Sequence, residues 1–188
     1  MSTVLTSPNG TFMKLGSTFL TVPLPSEELA IGNQIWKSVN LNIDDGQGGI
    51  TIQTVDYGNG PVNEYFYTWN AAVRVAESIP GWHLPSLDEW NTLLNYLGSD
   101  PGKKLKSTYG WDTGYAGTDD YGFAAFPAGQ RYNGGDATQG KAAYFWTSTP
   151  YNNWGGYRML VVGNGTYVSS DYMGRTLYSF TVRLIKDS

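Results

Sequence analysis

The sequence predicts an α+β domain in which two helices pack on a small, twisted antiparallel sheet, with long loops rich in glycine and aromatic residues. The stretch Gly81–Gly98 carries a helix with its own start and stop signals, and short runs of β-formers separated by turn residues stand on either side of it. Composition agrees: of 188 residues 24 are glycine, 15% are aromatic and 15% are charged, a profile that suits a loop-rich fold with aromatic anchors. The length suffices for one well-buried domain and is short for two.

Residues 1–30 stand apart from the rest. Thr11 to Val22 is built of β-formers, and Pro23 and Pro25 after it favour an extended, poorly pairing connection. Two readings are open: an edge strand of the main domain, or an arm that docks on a neighbouring copy or an assembly. The domain proper then spans 31–188. Gln34 to Ile43 alternates Ile35, Lys37, Val39 and Leu41 with Trp36, Ser38, Asn40 and Asn42, the pattern of a strand. Asp44 to Gly49 is a turn, and Ile50 to Val55 reads as a second strand.

After the Gly58-Asn59-Gly60-Pro61 loop, Thr68 opens the first helix, with Trp69, Ala72, Val73 and Ala76 along one face and Ser78-Ile79-Pro80-Gly81 ending it. The second helix starts at Ser86, which with Glu89 forms a capping box; Asp88 and Glu89 also complement the positive end of the helix dipole. Leu87, Trp90, Leu93, Leu94 and Leu97 share a face, and Gly98 stops the run. Burying each of these is worth roughly 1.5–3 kcal/mol before entropy, so this helix is a core element and not a functional surface. From Lys103 the chain turns glycine-rich and polar. Ala143–Thr149, Gly156–Val162, Tyr167–Asp171 and Tyr178–Ile185 then read as the strands of an antiparallel meander.

Several function classes fall away. The net charge is −4 and no basic cluster occurs, which argues against a nucleic-acid partner. With no cysteine there is no disulfide, thiolate metal site or cysteine nucleophile. No apolar run approaches the roughly 18–20 residues that span a bilayer, so membrane insertion is not expected. Residues 1–10 show no basic leader and apolar h-region, so the chain reads as made without a recognisable signal peptide; one trimmed of its leader would read the same. No Ser-His-Asp order, zinc-ligand spacing or phosphate loop appears, and the expectation is a non-enzyme without a cofactor. His83, the single histidine, reads as a core residue with no partner for general-base work. Asp112, Asp119, Asp120 and Asp136 could offer oxygen ligands to a structural calcium ion, although such residues in glycine-rich loops more often form turns.

One set of motifs has a familiar order. Ile31-Gly32-Asn33-Gln34-Ile35-Trp36 with Asn40-Leu41, Tyr67-Thr68-Trp69-Asn70-Ala71-Ala72, and Gly81-Trp82-His83-Leu84-Pro85-Ser86 with Glu89-Trp90 resemble the Fibrobacter succinogenes major paralogous domain. So do Lys103–Ser107 with Gly110-Trp111, Gly117–Phe123, Phe145-Trp146-Thr147-Ser148-Thr149 and the closing Phe180-Thr181-Val182-Arg183-Leu184. The resemblance covers about residues 31–186. It implies a C-type lectin-like fold, similar to the variable proteins of diversity-generating retroelements and, more distantly, to formylglycine-generating enzymes. The enzymes of that group rely on cysteines, which this chain lacks. The calcium-dependent sugar-binding motifs of true C-type lectins are absent too. The missing leader favours a protein built in the cytoplasm, such as a virion component, over a cell-surface lipoprotein.

The run from Tyr151 to Tyr178 is the candidate binding face, on residues Tyr151, Asn152, Asn153, Trp154, Tyr157, Tyr167, Ser169, Asp171, Tyr172 and Arg175. Tyr and Trp give large contact area at low entropy cost, while Ser and Asn adapt their hydrogen bonds. Strand alternation would set Tyr167, Ser169 and Asp171 on one face, and Tyr157 outward with Met159 and Val161 while Leu160 and Val162 turn to the core. Retroelement-diversified relatives carry their variable residues in this region. The expected role is receptor binding: a phage virion, host-attachment or retroelement-diversified variable protein acting at a virion or extracellular surface. Its partner would be a cell-surface protein or glycan, and residues 1–30 could join it to a second copy or a virion neighbour. A structural virion subunit and a cell-surface adhesin domain of a gut-type bacterium are the alternatives.

Overall fold

The computed structural model describes residues 27–188 in full and, before them, the backbone of three strands: β1 (Val4–Ser7), β2 (Gly10–Leu15) and β3 (Thr18–Val22). β2 pairs antiparallel with β1 on one side and β3 on the other. Thr11–Val22 therefore falls in two strands, β2 and β3, of a small meander. The docking reading of residues 1–30 falls largely on the side chains of residues 1–26, which lie outside those described.

The domain then runs through β4 (Glu28–Ile31), β5 (Gln34–Lys37), β6 (Ile50–Asp56), β7 (Pro61–Tyr67), α1 (Trp69–Glu77), β8 (Trp82–His83), α2 (Leu87–Leu97) and α3 (Pro101–Leu105). Its second half holds β9 (Gln130–Tyr132), β10 (Gly135–Ala137), β11 (Ala142–Pro150), β12 (Gly155–Val162), β13 (Val168–Gly174), β14 (Tyr178–Ser179) and β15 (Ile185–Lys186). The result is the α+β architecture expected, built on several small antiparallel sheets. Among the described residues, no helix is long and apolar enough to cross a membrane.

Local signals explain both main helices. Thr68 caps α1 by accepting the Ala71 N–H, and Ser86 caps α2 by accepting that of Glu89 at 3.2 Å while Glu89 accepts the Ser86 N–H at 2.7 Å. Gly98 closes α2 at φ +66°, a conformation that disfavours a β-carbon. The buried face of α2 is Trp90, Leu93 and Leu97, with Leu87 and Leu94 at its edges. That of α1 is Ala71, Ala72, Val75 and Ala76, one step round from the stripe read in the sequence.

Strand β11 divides the domain. Ala143 and Phe145 face one core with Trp36, Trp90, Leu93, Met159 and Val161; Tyr144 and Trp146 face a second with Tyr67, Val75, Phe180 and Val182. Its first six residues are all buried, as an interior strand requires. The Trp146 indole N–H donates to the Tyr67 carbonyl at 2.7 Å. The two ends of the domain meet in a four-stranded sheet of order β4-β5-β15-β8.

His83 is not a core residue: 38% of its side chain is exposed, and its ring is held between two carboxylates, Nδ1 at 2.6 Å from Asp187 and Nε2 at 2.8 Å from Glu89. It ties the C-terminal segment to the cap of α2. Partial burial pushes its pKa down, but the hydrogen bonds to Asp187 and Glu89 more than reverse this and hold it above its ordinary value. A raised folded-state value means that the imidazolium stabilises the fold fully below the unfolded value and loses that contribution as pH rises through the folded one. The expected outcome is a melting temperature that falls from about pH 6 to about pH 8 in the wild type and falls less in His83→Gln, read by differential scanning fluorimetry.

Candidate functional site

The most exposed aromatic in the described chain is Trp154, 83% exposed, at the turn joining β11 to β12. The turn is closed by its own side chain: Asn152 Oδ1 accepts the N–H groups of Trp154 at 2.8 Å and Gly155 at 3.0 Å. Tyr151 N–H donates to the Gly155 carbonyl. Beside it, Tyr151 and Tyr172 stack flat, with centroids 3.7 Å apart and 5° between planes, and Tyr157 meets Tyr151 edge-on. The register explains the cluster, since Tyr157 lies directly opposite Tyr172 across β12 and β13.

A rigid base carries this tip. Arg175 donates from its backbone N–H to the Trp154 carbonyl and from Nε to the Gly155 carbonyl, and its guanidinium lies 4.0 Å from the ring centroid of Trp69. Trp69 in turn donates its indole N–H to the Thr147 carbonyl at 2.9 Å. A β-carbon at Gly156 would stand inside the Trp69 indole, so that contact requires glycine. The first residue of α1 thus braces the hairpin from below.

Seven of the ten residues singled out in the sequence gather at this end: Tyr151, Asn152, Asn153, Trp154, Tyr157, Tyr172 and Arg175. The other three do not. Tyr167 precedes β13, five residues and roughly 17 Å of strand from Tyr172. Ser169 and Asp171 lie on the opposite face, paired with Leu160 and Arg158. The expected alternation is inverted as well: Met159 and Val161 are buried, at 1% and 0% exposure, while Leu160 and Val162 are only partly covered. Both faces of β12 carry apolar residues, so alternation alone could not say which one meets the larger core.

Asp171 has a structural task. It accepts from Arg158 through both oxygens, at 2.6 Å and 3.1 Å, and Arg158 also donates to Gln130 and lies over the Tyr144 and Phe180 rings. The four aspartates considered as calcium ligands have local partners or separate places. Asp136 accepts from Arg131 and Gln53, Asp119 accepts the Ala124 N–H, and the Asp112 backbone pairs with Gly140. The Asp120 N–H donates to the Lys104 carbonyl. Among the described residues, no group of three or more acidic or histidine side chains is placed to hold a metal ion.

The sequence reading missed a second feature. A cleft of about 420 Å³ opens between the β5–β6 connection, the β6–β7 hairpin and the loop around Phe126. Glu64 of β7 is buried in its wall, accepting from Asn40 Nδ2 and from the Tyr57 hydroxyl, each at 3.1 Å. Burial pushes the Glu64 pKa up, against the pull of those two hydrogen bonds and of the Arg183 charge. Arg183 is 1% exposed and donates to Asn40 Oδ1 and to the carbonyls of Lys37, Ser38 and Phe123. Burial lowers its pKa to about 10, still charged at neutral pH.

The family model described as the Fibrobacter succinogenes major domain matches residues 29–186. No curated protein and no solved structure gives a significant match to the chain.

The geometry separates scaffold from surface in this hairpin. Asp171→Ala leaves the buried Arg158 guanidinium without its bidentate partner and is expected to cost about 1–3 kcal/mol of stability. Tyr167→Ala, at a 56% exposed ring, is expected to change it by less than about 0.5 kcal/mol. Urea unfolding of both variants checks this.

Proposed function

Because the chain belongs to the Fibrobacter succinogenes major domain family, we propose that it is a non-enzymatic, C-type lectin-like binding protein whose hairpin tip attaches to a cell-surface receptor. The observation that carries the reading is the exposed aromatic cluster of Trp154 and the stacked Tyr151–Tyr172 pair on a braced turn. Exposed aromatics grouped in one patch favour an interaction site, since their burial by a partner releases ordered water at little cost in side-chain entropy. The tip presents phenol hydroxyls, an indole and asparagine amides, which suits recognition of a protein or glycan. It assembles no nucleophile with a base, and that favours binding over catalysis.

The proposed setting is a virion or extracellular surface, as a host-attachment protein or a retroelement-diversified variable protein. A braced turn with exposed side chains supports it, because those side chains can change while the brace stays. Fluorescently labelled chain is expected to bind intact cells of some members of a bacterial panel. Trp154→Ala and Tyr172→Ala should each weaken that binding about 30-fold, equivalent to about 2 kcal/mol, with the melting temperature nearly unchanged. Binding equal to wild type in both variants, or no binding by the wild type to any cell, would overturn the reading.

A further inference from the structure

We infer that the cleft beside Glu64 is a second ligand site, separate from the hairpin tip, and that it takes a neutral saccharide ring. Its volume, about 420 Å³, falls within the roughly 300–1,000 Å³ of small-molecule sites. One wall is aromatic. Tyr57 stacks on Phe126 with centroids 4.8 Å apart, and Tyr109, 42% exposed, meets Phe126 edge-on at 5.0 Å. The Asn40 amide and the Glu64 carboxylate, bonded to each other and to the Tyr57 hydroxyl, give the cleft a planar, polar side. A pyranose has the matching construction, with a flat face of C–H groups for rings and an edge of hydroxyls for planar donors and acceptors.

Charge selects among ligands. The buried Glu64 carboxylate would repel a phosphate or carboxylate. The cation lining the cleft, Arg183, already donates to three backbone carbonyls and to Asn40. A cationic ligand gains little either, because Arg183 balances the Glu64 charge and two hydrogen bonds already engage its oxygens. A neutral polyol does not disturb that balance. It can also use hydrogen-bonding capacity the protein leaves over: each carboxylate oxygen offers two lone pairs, and Asn40 Nδ2 carries a second hydrogen beyond the one given to Glu64. Tyr57 donates its single proton to Glu64, which leaves the phenol oxygen able to accept from a sugar hydroxyl.

The network also holds the site ready before any ligand arrives. Asn40 is oriented by its two bonds from Arg183, and Tyr57 by its stacking on Phe126, so little side-chain ordering remains to oppose binding.

The test uses the full chain with glucose, galactose, mannose, N-acetylglucosamine, cellobiose and xylobiose as probes, and tetramethylammonium and inorganic phosphate as charged controls. Saturation-transfer NMR reads binding, and amide shifts of the isotopically labelled chain locate it. The expected result is saturable binding of at least one sugar, with shifts at residues 38–42, 57–64 and 109–126. Tyr109→Ala and Val62→Trp, the second by filling the cleft, should weaken it about tenfold or more. Trp154→Ala should leave it unchanged, which separates this site from the tip. If Tyr109→Ala perturbs the fold, Val62→Trp decides, since Val62 is 45% exposed, lines the cleft and shares the Glu64 face of β7. The proposal is overturned if no sugar saturates, if the shifts map to residues 151–157, if neither cleft variant weakens binding, or if a charged control binds more tightly than every sugar.

Discussion

A guanidinium closed off from water must be given acceptors for its N–H groups, and Arg183 imposes that demand on the domain. Desolvating such a group costs several kcal/mol unless hydrogen bonds replace the lost water. The acceptors come from two separate places: the stretch that ends β5 and follows it, with the carbonyls of Lys37 and Ser38 and the Asn40 side chain, and the Phe123 carbonyl in the long loop. One side chain thus fixes the first strands, the loop and the closing segment to one another. The consequences run outward from there. Asn40 commits its oxygen to Arg183, so it offers its nitrogen to Glu64, and Glu64 turns its other oxygen to Tyr57. The wall of the cleft follows from the burial of a single arginine.

The second constraint is the two-sided burial of β11. A strand with helices and aromatic rings on both faces has no solvent side, so its neighbours must cover it in both directions. On one face Phe145 meets Trp90 and Phe123; on the other Trp146 meets Phe180. The hairpin partner β12 is drawn into the same arrangement, with Met159 in the first core and Arg158 over Tyr144 and Phe180. The sheet leaves this cover only at its far end, where Tyr157 and Tyr172 sit beyond Met159. The aromatic tip is therefore an extension of the packed face into solvent.

What could be read from the sequence was what local chemistry encodes. Helix α2 was legible because its start, stripe and stop all lie within 18 residues. The three strands of the β11–β12–β13 meander were legible because turn residues bound them, but Tyr178–Ile185 is not a fourth: it splits into β14, paired with β9, and β15, paired with β5 and β8. The β6–β7 hairpin was half seen: β7 opens on Pro61, which read as loop, its polar Asn63 and Glu64 give no strand pattern, and Glu64 bonds Asn40, 24 residues away. The β9–β10 hairpin had a signal, Asn133-Gly134, whose two residues both take positive φ, the hallmark of a tight hairpin turn. It was lost among neighbouring glycines. Alternation in β12 showed two faces but not which one packs. His83 between two carboxylates was out of reach, because Asp187 stands 104 residues away and arrives through the pairing of β15 with β8.

The hairpin that carries the tip shows how a surface can be tied firmly in place and still be energetically detached from the core. The elements that fix it are backbone groups and side chains with their own partners: Arg175 on the Trp154 and Gly155 carbonyls, Trp69 against Gly156, and Arg158 with Asp171. Each restrains the path of the chain and not the identity of the exposed rings. Trp154 is held by its N–H and its carbonyl, and both remain whatever side chain the position bears, proline excepted. Tyr172 is held by its pairing with Tyr157 in the strand ladder, and its exposed ring adds contact only with Tyr151 and its neighbours. Substitution at these rings thus alters the chemistry offered to a partner while leaving the ladder, the brace and both cores as they were. A change at Asp171, one residue from Tyr172, removes a partner from a buried charge. On one strand, the parity of a position separates a surface free to vary from a scaffold that is not.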